Sequence, residues 1–222
     1  MFAELLREKL KGRVELSGSQ IALLEEHFVL LQRWNRVLNL TSVRDPEEMI
    51  ERHYAESLFL GAHLPAGQQT IVDIGSGAGF PGIPVAVLRP ECTITLVESH
   101  QRKSVFLEEA SRGLPNISVS AERIEAVKLR FGWAISRAVK FEDIEKAAFT
   151  VTERIGLLAG ESAPGSLCFT WNKPIRVSET PSNTAIASVS SSPEVGCTPL
   201  RKSRKKRSAF SHRPLCPSVA NT

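Results

Sequence analysis

Along the first 66 residues apolar side chains recur every three or four positions, the spacing that lines one face of a helix. Phe2, Leu5, Leu6 and Leu10 make a short amphipathic helix. From Ser19 the set Ile21, Leu24, Phe28, Leu31, Val37 and Leu38 predicts a longer one, with Trp34 packed beside its stripe. Asn35, Asn39, Thr41 and Ser42 then interrupt the period. Asp45-Pro46-Glu47-Glu48 has the form of a new helix start: an acid as N-cap, proline at the first position and Glu three residues past the cap. The helix it opens carries Met49, Ile50, Tyr54, Leu58 and Leu60 and ends near Pro65-Ala66-Gly67. Arg52 and His53 are assigned to its solvated face.

After residue 66 the period changes. Ile71, Val72 and Ile74 form a short buried strand interrupted by an acid, Asp73, and the chain then breaks into Gly75, Gly77, Gly79 and Gly82. Ile83, Val85, Ala86, Val87 and Leu88 resume a helical pattern. Thr93–Val97 is a second strand ending at Glu98, residues 101–110 a helix with Val105, Phe106 and Ala110 inward, and Ile117–Val119 a third strand. Residues 132–139 read as a fourth strand with Arg137 at its end, Asp143–Leu158 as a helix, and Ser166–Trp171 as a fifth strand. Strands alternating with helices predict an α/β, Rossmann-like fold: a mostly parallel sheet with helices on both faces, preceded by a small helical region. The expected divisions are 1–66 for the helical region, 67–177 for the core and 178–222 for an irregular tail.

The stretch Thr70 to Gly82 carries the chemistry. A strand, a glycine turn and a helix place a small-molecule site at the carboxyl end of the first core strand. Two ligand classes fit it. Gly77-Ala78-Gly79-Phe80-Pro81-Gly82 satisfies G-x-G-x-x-G, in which a helix N-terminus holds a pyrophosphate. The same residues also read Asp73-x-Gly75-x-Gly77-x-Gly79, an acid ahead of alternating glycines, the signature of S-adenosylmethionine-dependent methyltransferases. An acid there favours the ammonium of a sulfonium amino acid and repels a pyrophosphate, and Pro81 and Pro84 spoil the tight helix start a dinucleotide loop prefers. Glu98, 23 residues beyond Gly75, suits the two hydroxyls of a ribose, which both ligands contain. Arg137 opens onto the same crevice.

Charge and cysteine change little. The formal net charge of +4 is misleading: of 28 basic residues seven lie in 201–222, which holds no acid, leaving 21 basic against 24 acidic residues before it. A globally basic fold gripping nucleic acid is therefore not indicated, only a local patch. Cys92, Cys168, Cys197 and Cys216 are too scattered for a zinc site or a disulfide framework, and no apolar run approaches the ~20 residues of a membrane span. A reduced cytoplasmic enzyme without a metal, acting as a monomer, is the expectation.

With these residues in view the chain resembles the bacterial small-subunit ribosomal RNA methyltransferase G family, also called glucose-inhibited division protein B. The resemblance rests on residues 32–45, on Arg52-His-Tyr-Ala-Glu-Ser-Leu58, on Val72-Asp-Ile-Gly-Ser-Gly-Ala-Gly-Phe-Pro-Gly-Ile-Pro84 and on Ser136-Arg-Ala138. It implies a class I S-adenosylmethionine-dependent methyltransferase acting on N7 of a guanine in the decoding-region loop of 16S rRNA. Gly75 and Phe80 then match the family's cofactor-loop contacts, Glu98 its ribose-binding acid, and Ile124 and Glu125 its adenine-contacting loop. Arg137 matches its strand-end arginine, and Arg123 a basic residue often beside the site. Asp73 and Gly77 join the cofactor set from the loop pattern itself. The competing readings are an NAD-type oxidoreductase on the same scaffold and a non-catalytic RNA-binding relative that keeps the loop.

The tail departs from the family, which continues past the fifth strand with a helix and a closing hairpin. Residues 178–200 are Ser/Thr/Pro-rich without helical or strand period, and a basic block follows at 201–207. Two explanations stand: an extension whose basic block grips RNA phosphates, or an out-of-frame or replaced segment that leaves the sheet two strands short, with an unpaired edge.

Overall fold

The computed structural model describes residues 1–139, 141–159 and 185–190. Two helices open the chain, α1 (Phe2–Leu10) and α2 (Gly18–Trp34). The second starts at a full capping box, in which the Ser17 hydroxyl accepts from Gln20 N–H and the Gln20 side chain accepts from Ser17 N–H. It stops at Trp34, so that Val37 lies beyond it and is exposed rather than part of the stripe.

The helix predicted from Asp45 forms, but not as one regular cylinder. The Asp45 carboxylate accepts from Glu48 N–H and opens α3 (Pro46–Met49); a π-helical turn follows over Ile50–Ala55, and α4 (Glu56–His63) completes the run. Such turns are rare and concentrate at functional sites. Ile50, Tyr54, Ala55, Leu58 and Leu60 all end in the core.

Six strands form one sheet in the order β3-β2-β1-β4-β5-β6. They are β1 (Thr70–Ile74), β2 (Thr93–Val97), β3 (Ile117–Ser120), β4 (Trp133–Arg137), β5 (Arg154–Ala159) and β6 (Ala185–Ser190). The first five pair in parallel and β6 joins β5 antiparallel. Alternation sorts the two faces. Ile71, Ile94, Leu96 and Ile135 pack with α1, α2, the 46–63 helix, α5 (Gly82–Leu88) and α6 (Gln101–Ala110). Val72, Ile74, Val97, Ala134 and Ile155 pack instead with Ile144, Ala148 and Val151 of α7 (Phe141–Val151). The N-terminal helices thus share one continuous apolar core with the sheet.

Two expectations need correction, and one lies outside the described residues. The stretch read as one helix over 143–158 is α7 followed by β5, because Ile144, Ala148, Val151, Ile155 and Leu158 keep helical spacing across a break at Thr152-Glu153. The expected fifth strand at Ser166–Trp171 lies outside the described residues. Within the expected tail, residues 185–190 supply β6, which pairs antiparallel with β5. On α6, Val105 is exposed and Leu107 takes the inward place assigned to it.

Candidate active site

The sheet order reverses between β1 and β4, and an open α/β sheet presents its ligand crevice at such a switch point, beyond the carboxyl ends of the strands. Gly75 to Pro81 turns there. Gly75 and Ser76 both donate their N–H to Val97 O, tying the turn to the end of β2, and Ser136 Oγ on β4 donates to Ile74 O. Gly75, Gly77 and Gly79 have φ of +71°, +56° and +86°, a region open to glycine at little cost.

Gly82 serves space rather than angle. A Cβ there would stand 2.3 Å from Leu96 Cδ2 and 2.6 Å from Asp73 Oδ2. That contact explains Asp73. Expected at the cofactor, its carboxylate lies wholly buried under the loop, where Oδ2 accepts from Gly82 N–H at 2.9 Å and Oδ1 has no partner. Burial raises its pKa from the ordinary carboxylate range to about 7, against the lowering effect of the Gly82 hydrogen bond. Asp73 therefore acts first on the loop's shape.

Glu98 sits at the rim. Its Oε2 accepts from Gly77 N–H at 3.0 Å and its Oε1 from His100 N–H at 2.8 Å. Each carboxylate oxygen keeps a second lone pair, so acceptors for a diol remain. Ile124 begins a 3₁₀ turn (Ile124–Ala126) and packs beside Val72, Ile74 and Val97, while Glu125 and Arg123 are exposed next to it. Gly75, Gly77, Glu98, Ile124 and Glu125 thus gather around the ends of β1 and β2.

The Phe80 side chain is buried beside the loop. Its ring turns away from the crevice into an aromatic cluster, 5.3 Å from His27, 4.8 Å from His53 and 5.0 Å from Tyr54. Only its main chain is left to meet a ligand. His53 is correspondingly not on a solvated face: it stacks on Phe80, its Nε2 pairs with Thr41 Oγ1 at 2.7 Å, and its Nδ1 is buried without a partner. Burial, and then the Arg137 charge, lowers its pKa to about 3.

Arg137 ends β4 facing the 46–63 helix. Its Nη1 donates to Glu56 Oε2, a carboxylate with no exposed side-chain surface, while the Arg137 side chain is 12% exposed. One edge of the guanidinium is thus anchored to Glu56. Sequence reasoning missed Glu56, His27 and Tyr54 as participants. Glu56 could have been found as an acid seven residues after Met49, on the same apolar face.

The carbon and nitrogen groups gathered here suit a nucleoside-bearing ligand: glycine amides, a rim carboxylate with lone pairs to spare, and an apolar side chain at the adjoining turn. Among the described residues no group of three or more His, Cys, Asp or Glu could hold a metal, and no helix is long and apolar enough to cross a membrane.

Known proteins match this chain over much of its length. The family model GidB, rRNA small subunit methyltransferase G, matches residues 20–158. The ribosomal RNA small subunit methyltransferase G of Nitrosomonas europaea is 47% identical over 148 residues, covering 64% of this chain and 67% of the relative. Its namesake in Nitrosospira multiformis is 45% identical, over 59% of this chain and 61% of the relative. That of Nitrosococcus oceani is 44% identical over 52% and 54%. The chain therefore spans between about half and two thirds of these relatives. Among solved structures, the bifunctional kinase-methyltransferase WbdD aligns with a TM-score of 0.51 at 18% identity, over 72% of this chain and 46% of that one, a likeness of fold. The family model covers well over half of the residues here, including every strand from β1 to the body of β5: the chain belongs to the rRNA small subunit methyltransferase G family.

Proposed function

We propose that this chain is a cytoplasmic, S-adenosylmethionine-dependent methyltransferase that modifies N7 of a guanine in the decoding-region loop of 16S rRNA. The observation that carries the reading is the acid-glycine loop at the switch point, closed by Asp73 beneath and Glu98 at its rim. A pyrophosphate would meet the Glu98 carboxylate at this loop, whereas the hydroxyls of a ribose find acceptors there. When bound, the cofactor supplies an electrophilic methyl group.

The residues present are enough for such a transfer. Guanine N7 has an in-plane lone pair and no proton to lose, so no general base is needed. Glu98 offers its remaining lone pairs to the ribose hydroxyls, and Ile124 an apolar surface to the adenine. Holding the nucleophile near attack geometry can supply several kcal/mol of the barrier. Arg137, fixed by Glu56, orients a phosphate or the guanine carbonyl, leaving N7 itself for reaction. It orients and transfers no proton.

The test is methyl transfer from labelled cofactor to small ribosomal subunits lacking the modification, followed by mapping of the labelled base. Label on a guanine N7 of the decoding region is expected with the natural chain. Arg137→Ala should lower kcat/KM by about a hundredfold, on the order of 3 kcal/mol of lost orientation and charge pairing. Label on another base, or none, would refute the assignment.

A further inference from the structure

Ala78 stands in the middle of the glycine loop and is buried, so its carbonyl oxygen needs a donor from the protein. The donor comes from a distant element. His27 on α2 places Nε2 3.1 Å from Ala78 O, and its Nδ1 lies 2.7 Å from the Tyr54 hydroxyl. A carbonyl has no proton to give, so Nε2 carries the hydrogen and donates it to Ala78. Nδ1 is then the acceptor, and the Tyr54 hydroxyl donates to it. The imidazole is held neutral in one tautomer, in keeping with a pKa that burial lowers to about 4.

The other end of the same peptide unit is also tied, since Gly79 N–H donates to Ser76 O at 2.7 Å. The 78–79 peptide plane is therefore pinned by its carbonyl to the helical region and by its amide to the loop itself. Gly77 and Gly79, which flank Ala78, have positive φ and could rotate easily if the carbonyl were released. Rotation there would loosen the loop beside Gly77, whose N–H donates to Glu98 Oε2 at the rim.

We propose that His27 is a positioning residue for cofactor binding: its Nε2–H, by holding the Ala78 carbonyl, keeps the glycine loop in the shape that receives the cofactor. The inference rests on the methyltransferase reading above. It gives the N-terminal helical region a part in cofactor affinity, although α2 supplies no group to the crevice itself.

The experiment is calorimetric titration of S-adenosylhomocysteine into the full chain and into four variants, with a thermal melt of each. His27→Leu removes the donor, and releasing a buried carbonyl should weaken binding about tenfold or more. His27→Asn keeps polarity but falls short of Ala78 and should weaken binding to a similar degree, which serves if the leucine variant does not fold. His27→Gln carries a donor and an acceptor on one amide and should stay within about threefold of the natural chain. Tyr54→Phe keeps the donor to Ala78 while losing the hydroxyl. It should lower Tm yet leave the dissociation constant within about twofold. A purely structural histidine would make affinity follow Tm across all four, and that result would overturn the proposal, as would tight binding by His27→Asn. Absence of binding by the natural chain would instead overturn the methyltransferase reading on which the proposal depends.

Discussion

The crevice has two walls of different kinds. The glycine loop is held mainly through its own main-chain amides: Gly75 and Ser76 donate to Val97 O on β2, Gly79 and Phe80 to Ser76 O, and Gly82 to the Asp73 side chain nine residues away. The helical wall, residues 27 and 46–63, contributes buried polar side chains instead, and two of them reach far along the sequence. Glu56 meets Arg137 at a separation of 81 residues and His27 meets Ala78 at 51. The loop forms the proposed ligand surface and the wall supplies supports that hold it. Short-range contacts make the first readable; distant ones make the second exacting, since its buried polar groups must be met by residues from far along the chain.

If that contrast is right, the largest loss comes from the wall. Glu56→Ala leaves a mostly buried guanidinium unpaired and should cost about 3–5 kcal/mol of stability, measured by chemical denaturation. Gly82→Ala tests the loop where it is tightest, and the clash with Leu96 and Asp73 should cost about 3 kcal/mol. A loss in the second clearly larger than in the first would reverse the ranking of the two walls.

Asp73→Asn sharpens the picture by its pH dependence. Unfolded, the group ionises near 3.8; folded, near 7. Its contribution to stability is therefore full below pH 3.8 and is lost as pH rises through 7. His27 and His53 act oppositely: lowered from 6.5 to about 4 and about 3, they give stability that is full above pH 6.5 and is lost as pH falls through those values. Subtracting the Asp73→Asn stability curve from that of the natural chain removes the histidines. The difference should fall by on the order of 3 kcal/mol between pH 4 and 7. A flat difference would mean the carboxylate is not confined under the loop. The smallest effect belongs to Arg52→Ala, whose exposed pair with Glu48 should contribute less than about 0.5 kcal/mol.

What the sequence disclosed follows the same division. The loop, the acids at 73 and 98 and the parallel β-α alternation were legible because a glycine turn and a strand end are local patterns. The roles of the two acids were not, since only packing shows that Asp73 points under the loop while Glu98 lines its rim. His53, four residues after Met49, was assigned to solvent although it stacks on Phe80, in a stretch where the π-helical turn disturbs the regular period. The break between α7 and β5 was hidden by Ile155 and Leu158, which prolong the helical spacing of Val151 by coincidence. Strand β6 gave no apolar alternation to find: Ala-Ile-Ala-Ser-Val-Ser is small and mixed, and its pairing with β5 is long-range.

The account stands most directly on where a nucleoside sits. In a crystal of the full chain grown with S-adenosylhomocysteine, the ribose hydroxyls should reach Glu98, the adenine should lie against Ile124, and the amino-acid end should enter the turn at Gly75 and Gly77. A ligand bound elsewhere, or a crevice that admits NAD with its pyrophosphate on the Gly77–Gly82 turn in preference, would contradict it.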